Sequence, residues 1–282
     1  MKVSLKNWRS SIVLAVVAMA LLGSTMAFAD NINPGVLPID AKLGGQTYGQ
    51  WSENWWQWAY SVKSSTLGNC PQETGRMWFL AGAPVLTTPA QTLTGSQPTE
   101  TTPFSCTVPA GKNIMFPLFN AEQSVAEAEA GTTTGNLPGS TCPLHAVNGD
   151  LITGTDYNSL LSCAQAFTQH ALVPNALGAE VDGKPLTNLT QYRAASPPPL
   201  FPFTAVKGNP FGLCEALSTP NTSDACPLHT KAAADGFWII LGPDRLSKGQ
   251  HTIHFTASVD FTGDNLPFTK YTNDVTYTLT IK

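Results

Sequence analysis

The chain has 282 residues, 15 of them basic and 19 acidic, giving a net charge of −4, and only 12% of its side chains are charged. This balance argues against a nucleic-acid partner, which a basic surface would recruit. No basic cluster follows Arg9 to hold the chain on an anionic lipid surface either, so neutral or cationic partners are favoured.

Residues 1–29 read as a secretory signal peptide. Lys2, Lys6 and Arg9 precede an apolar run from Ile12 to Leu22, and small residues at Ala27 and Ala29 suit cleavage before Asp30. The run is shorter than the roughly 20 residues that a membrane-spanning helix needs, and no later stretch approaches that length. A secreted or periplasmic protein with no membrane span is expected, its mature part a single mostly β domain over residues 30–282. Processing would remove three cations and no acid, leaving that domain more acidic still.

Cys70, Cys106, Cys142, Cys163, Cys214 and Cys226 all lie beyond the signal segment. An even set in an oxidising compartment reads as a disulfide framework, for which six cysteines allow about 15 pairings. Sequential pairing is preferred, 70 with 106, 142 with 163 and 214 with 226. Each bridge would close a Pro-, Gly- or Thr-rich stretch and contribute about 2–4 kcal/mol.

The first predicted element is a helix over 48–62, because Tyr48, Trp51, Trp55, Trp58 and Val62 recur at helical spacing. Strands are expected at 76–82, 104–108 and 112–118. A helix is then expected over 120–129, stopped by Gly131. The next helix is expected over 156–172, with Leu160, Ala164, Phe167 and Ala171 as its stripe and Thr155 or Asp156 as its cap. Asp182-Gly183 marks a tight hairpin turn between 179–181 and 185–189. The Pro-rich run 196–202 reads as a stiff crossing into strands at 201–206 and 236–241. Residues 251–261 alternate Ile253, Phe255, Ala257, Val259 and Phe261 against polar neighbours, and Val275, Tyr277, Leu279 and Ile281 repeat the pattern. The expected fold is mainly β: an antiparallel sandwich or jelly-roll-like domain with two or three added helices, stapled by disulfides.

Tyr48-Gly49-Gln50-Trp51, Trp55-Trp56-Gln57-Trp58, Trp78-Phe79-Leu80-Ala81-Gly82 and Val108-Pro109-Ala110-Gly111-Lys112 are distinctive segments. So are Tyr192-Arg193, Asp235-Gly236-Phe237-Trp238 and Gly249-Gln250-His251-Thr252-Ile253. Together they resemble a family of uncharacterised secreted bacterial proteins. The resemblance spans most of the chain beyond residue 30 and implies one domain, with no activity attached to it.

Several groups are candidates for chemistry. Cys-Pro-Leu-His occurs twice, at 142–145 and 226–229, and two such units offer sulfurs and the imidazoles of His145 and His229 to a tetrahedral metal; disulfides would remove the sulfurs. His251 and His254 are three apart on a predicted strand, so they point to opposite faces and cannot share an ion. Glu122, Glu127 and Glu129 follow an apolar strand, where a hydrolase could place an acid and a base. On the predicted helix Glu122 and Glu129 share a face and Glu127 is displaced, and Arg193 or Arg76 is available as a structural partner for them. Trp56 falls off the Trp stripe and is the aromatic residue to test as a surface contact for a glycan. Asp260–Asn265 offers oxygens, but without an EF-hand's spacing a β-turn explains it. Walker, dinucleotide, nucleophile-elbow and haem-attachment signatures are missing.

The leading expectation is a non-enzymatic binding or structural protein of the cell envelope or the medium, without a cofactor, taking a glycan, an envelope component or a protein. The alternatives are a secreted hydrolase using the glutamates and a metal-binding protein using the Cys-Pro-Leu-His pair.

Overall fold

The structure, a computed structural model, describes residues 33–70, 75–82, 101–130, 142–146, 148–217, 226–264, 266 and 269–282. The predicted signal segment 1–29, the helix stop at Gly131 and Asn265 lie outside the described residues. Among the described residues four α-helices are α1 (Tyr48–Ser61), α2 (Val125–Ala130), α3 (Tyr157–Thr168) and α4 (Leu213–Ala216). Ten strands are β1 (Met77–Phe79), β2 (Thr101–Val108), β3 (Asn113–Ser124), β4 (Leu177–Val181), β5 (Lys184–Pro185), β6 (Arg193–Ala195), β7 (Phe201–Ala205), β8 (Leu228–Leu241), β9 (Gly249–Asp260) and β10 (Lys270–Ile281).

β8 organises the first sheet. From Ala232 to Leu241 every residue is buried, as befits a strand covered on both faces. Alternate side chains go to opposite covers: Trp238 meets Trp55 of α1 with ring centroids 5.3 Å apart, while Ala233 packs with Leu160 of α3 and Ala128 of α2. The strand order is β1-β3-β8-β6, with β7 also on β8. The second sheet runs β2-β10-β9-β4-β5, and its buried alternation is the one expected for 251–261 and 275–281. Rings join the two sheets, Phe116 against Phe255 at 4.9 Å and Phe119 against Tyr271 at 5.4 Å.

The fold is therefore mainly β, but both sheets are mixed instead of wholly antiparallel. β1 runs parallel to β3, and β2 parallel to β10. Parallel pairing needs a long connection between the partners, a relation between distant segments that alternation within one strand does not report. Asp182 and Gly183 both have positive φ, 55° and 69°, in the hairpin between β4 and β5.

The helix expected over 120–129 is corrected. Asn120–Ser124 continue β3 and pair with Gly236–Ala232 of β8, so only Val125–Ala130 are helical. The available hydrogen bonds of the buried β8 edge outweigh the helical propensity of the acidic, alanine-rich segment. α1 and α3 form as expected: Thr47 and Gln50 make a reciprocal capping box on α1, and the Asp156 carboxylate accepts from the Asn158 and Ser159 backbone N–H groups of α3.

Three disulfides, Cys70–Cys106, Cys142–Cys163 and Cys214–Cys226, fasten the loops to this frame. The second fixes α3 to the 142–151 loop. Among the described residues no helix is long and apolar enough to cross a membrane.

One ion pair is set into the core. Asp235 of β8, 2% exposed, accepts from Arg193 Nε at 2.8 Å and from the Thr168 hydroxyl, and the guanidinium lies 5.7 Å over the Phe237 ring. Arg193 thus holds Asp235 and none of the three glutamates, and Arg76 is exposed. Arg193→Ala would leave a buried carboxylate without its cation and should lower stability by about 3–5 kcal/mol. Urea unfolding checks this, and the double variant Arg193→Met/Asp235→Asn is expected to recover much of the loss.

Candidate functional site

A proline within a central strand cannot donate its ladder hydrogen bond, so it belongs at an irregularity. Pro117 stands at one. β3 pairs Pro117 with Trp238 and Phe119 with Phe237, leaving Leu118 as an extra residue. Such a bulge bends the strand and re-aims the side chains that follow. The stretch from Pro117 to Glu122 then forms one wall of a partly open cavity of about 360 Å³.

The other walls come from elsewhere in the fold, Ala81 and Gly82 after β1, Phe167 of α3 and Phe261 after β9 among them. α1 contributes Trp55, Trp56, Trp58 and Tyr60, the loop before α4 contributes Pro210 and Phe211, and β10 contributes Tyr271 and Asn273. The first turn of α2 contributes Glu127. The aromatic walls brace one another: Trp56 stacks on Tyr60 at 5.7 Å, Tyr60 stacks on Phe203 at 4.2 Å, and Phe211 lies 5.2 Å from Trp56.

Two carboxyl groups meet in this wall. The Tyr60 hydroxyl donates to Glu122 Oε1. Glu127 Oε2 accepts from the Ser124 backbone N–H at 2.8 Å and from the Ser124 hydroxyl at 2.6 Å, and the Glu127 N–H donates back to that hydroxyl oxygen at 3.2 Å. Ser124 and Glu127 therefore form the capping box of α2. Glu122 and Glu127 lie within hydrogen-bonding reach of each other. Burial pushes the Glu122 carboxyl well above the ordinary carboxylate range, and the charge of Glu127 adds to the rise. Burial also raises Glu127, opposed by the two Ser124 donors.

Three polar atoms of the cavity-lining residues have no hydrogen-bond partner although buried: Glu122 Oε2, Trp56 Nε1 and Asn120 Nδ2.

The remaining candidates fall elsewhere. The expected pairing of Glu122 with Glu129 on one helical face does not occur: Glu122 is on a strand, Glu127 joins it, and Glu129 is exposed. Trp56 is 4% exposed and belongs to the cavity wall and not to the outer surface, because α1 is covered on nearly all sides. His145 and His229 are exposed, the latter with its ring 2.9 Å from the Thr204 hydroxyl. The sulfurs of both Cys-Pro-Leu-His units are in disulfides and cannot act as thiolate ligands. Among the described residues the cluster compact enough for a metal is Cys214, Glu215 and Cys226, whose two sulfurs are bonded to each other. His251 and His254 diverge as expected, His251 to Asp182 at 2.9 Å and His254 to Asp274 at 3.0 Å.

Tyr60, Asn120 and Phe211 were not singled out by sequence. Two signals pointed towards their neighbourhood: Pro117 inside a strand, which marks a bulge, and Ser124-Val125-Ala126-Glu127, which has the spacing of a capping box and starts the helix at 125.

No family model, curated protein or solved structure matches the chain.

A carboxyl whose pKa rises on folding destabilises the fold at any pH where the unfolded chain has already lost the proton. Stability is then fully present below the ordinary value of 4.5 and falls as pH rises through the folded value. Glu122→Gln removes this loss while keeping an acceptor for Tyr60. Its melting temperature is expected to pull progressively above that of the parent as pH rises from about 4.5 to neutrality, followed by calorimetry across that range.

Proposed function

We propose that this is a secreted or periplasmic binding protein, non-enzymatic, that holds a small organic molecule in the aromatic cavity over β3. The scaffold is a sandwich-like pair of sheets, and the three disulfides fit an oxidising compartment. The observation that carries the reading is a cavity of about 360 Å³ whose mostly aromatic wall also holds the carboxyl groups of Glu122 and Glu127. That volume lies at the small end of the ligand-pocket range, roughly 300–1,000 Å³, and a mostly apolar wall with a few convergent polar groups is the usual character of such pockets.

The hydrolase reading keeps one supporting observation, two carboxyl groups in one cavity wall, both raised by burial. Glycosidases separate a free acid from a free base or nucleophile by about 5–5.5 Å or 6.5–9.5 Å, whereas here Glu127 is committed to the capping box of α2 through Ser124. Binding is the better account.

Gly82 lines the cavity, and a Cβ placed there would meet only Asn273 Nδ2 at 3.6 Å, an ordinary contact. Gly82→Leu should therefore fill the cavity and leave the fold intact. Small aryl-alkyl compounds, neutral and charged, titrated by calorimetry should give saturable one-to-one binding to the parent chain, and binding weakened at least about tenfold in Gly82→Leu. Binding that survives Gly82→Leu unchanged, or the failure of every compound to bind the parent, overturns the assignment.

A further inference from the structure

We propose that the ligand of this cavity is an organic ammonium compound, a compact apolar body carrying a positively charged amine; the inference rests on the cavity being a small-molecule site. Two carboxyls stand in the wall, and the described lining includes no Lys, Arg or His to balance them. Elsewhere the buried acid Asp235 is held by the Arg193 guanidinium at 2.8 Å. The Glu122–Glu127 pair has only the Tyr60 hydroxyl and the Ser124 donors. The missing positive charge is left for the ligand.

The walls favour the same class. Aromatic rings attract a cation lying over their faces, most strongly where water is excluded. The wall that carries Glu122 also carries Trp55, Trp56, Trp58 and Phe211. Calcium or magnesium would find too few oxygens here, since each takes six or more ligands and rings supply none. An ammonium group with an apolar body uses both features: its positive charge lies beside the Glu122–Glu127 pair and its body lies among the rings. An anionic compound would meet two carboxyls.

The test is a matched series with one body and three heads: 2-phenylethylamine, 2-phenylethanol and phenylacetate, each titrated by calorimetry into the full exported chain at neutral pH. The amine is expected to bind about tenfold or more tighter than the alcohol, with phenylacetate the weakest. In Glu122→Gln/Glu127→Gln the ratio of amine to alcohol affinity should collapse towards one. Gln serves a capping box as Glu does, so α2 is retained, which circular dichroism and the melting temperature verify. If the alcohol binds the parent as tightly as the amine, the ammonium assignment fails while the small-molecule site stands. If phenylacetate binds best, the assignment fails outright. An amine preference that persists in the double variant also overturns it, because the carboxyls would not be its source. If none of the three binds, the cavity assignment itself falls and takes this one with it.

Discussion

β8 presents ten consecutive buried residues, and burying both faces of a strand requires a cover on each side and a hydrogen-bonded neighbour along its edges. α1 supplies one cover, α3 and the second sheet supply the other, and β3 runs along one edge for most of its length. Small residues make this geometry attainable. A Cβ on Gly236 would come within 2.6 Å of Asn120 Cβ, so glycine there sets how closely β3 can approach. The two strands cannot pair without a fault, however, because Pro117 offers no N–H. The fault is the bulge at Leu118, and the cavity lies along it.

The parts legible in the sequence were those with a local cause. Helical spacing of Trp51, Trp55 and Trp58 placed α1, and period-two alternation placed β9 and β10. Asp182-Gly183 gave the hairpin because two successive positive φ angles favour those residue types. What local pattern could not report was which segments lie side by side. The parallel partners β1–β3 and β2–β10 are joined by long connections and leave no short-range trace.

The glutamates show how one misplaced boundary changes a site. Read as helix, 120–129 puts Glu122 beside Glu129. Read as strand to Ser124 and helix from Val125, it puts Glu122 beside Glu127. Trp56 was displaced for a related reason: a wheel drawn for a helix with one wet face leaves it outside, whereas α1 buries Trp51, Trp55, Trp56, Trp58 and Tyr60 together. A sequence window sees the helix but not the segment at Phe211 that closes over it.

Structural duty accounts for Glu127 more fully than for Glu122. Glu127 completes the capping box of α2, a role worth about 0.5–2 kcal/mol in comparable caps, and its carboxylate finds two donors in Ser124. Glu122 caps nothing. It accepts one hydrogen bond from Tyr60, leaves Oε2 unpartnered and sits against a second acid with no cation at hand. A glutamine or an apolar residue in its place would avoid that electrostatic cost, so the fold gains nothing from an ionisable group there. Strained or ill-paired groups persist where the surrounding structure holds them in place, and they gather at sites that work on something outside the chain. In the proposed ligand site that cost would be offset by a bound group of opposite charge and matching shape.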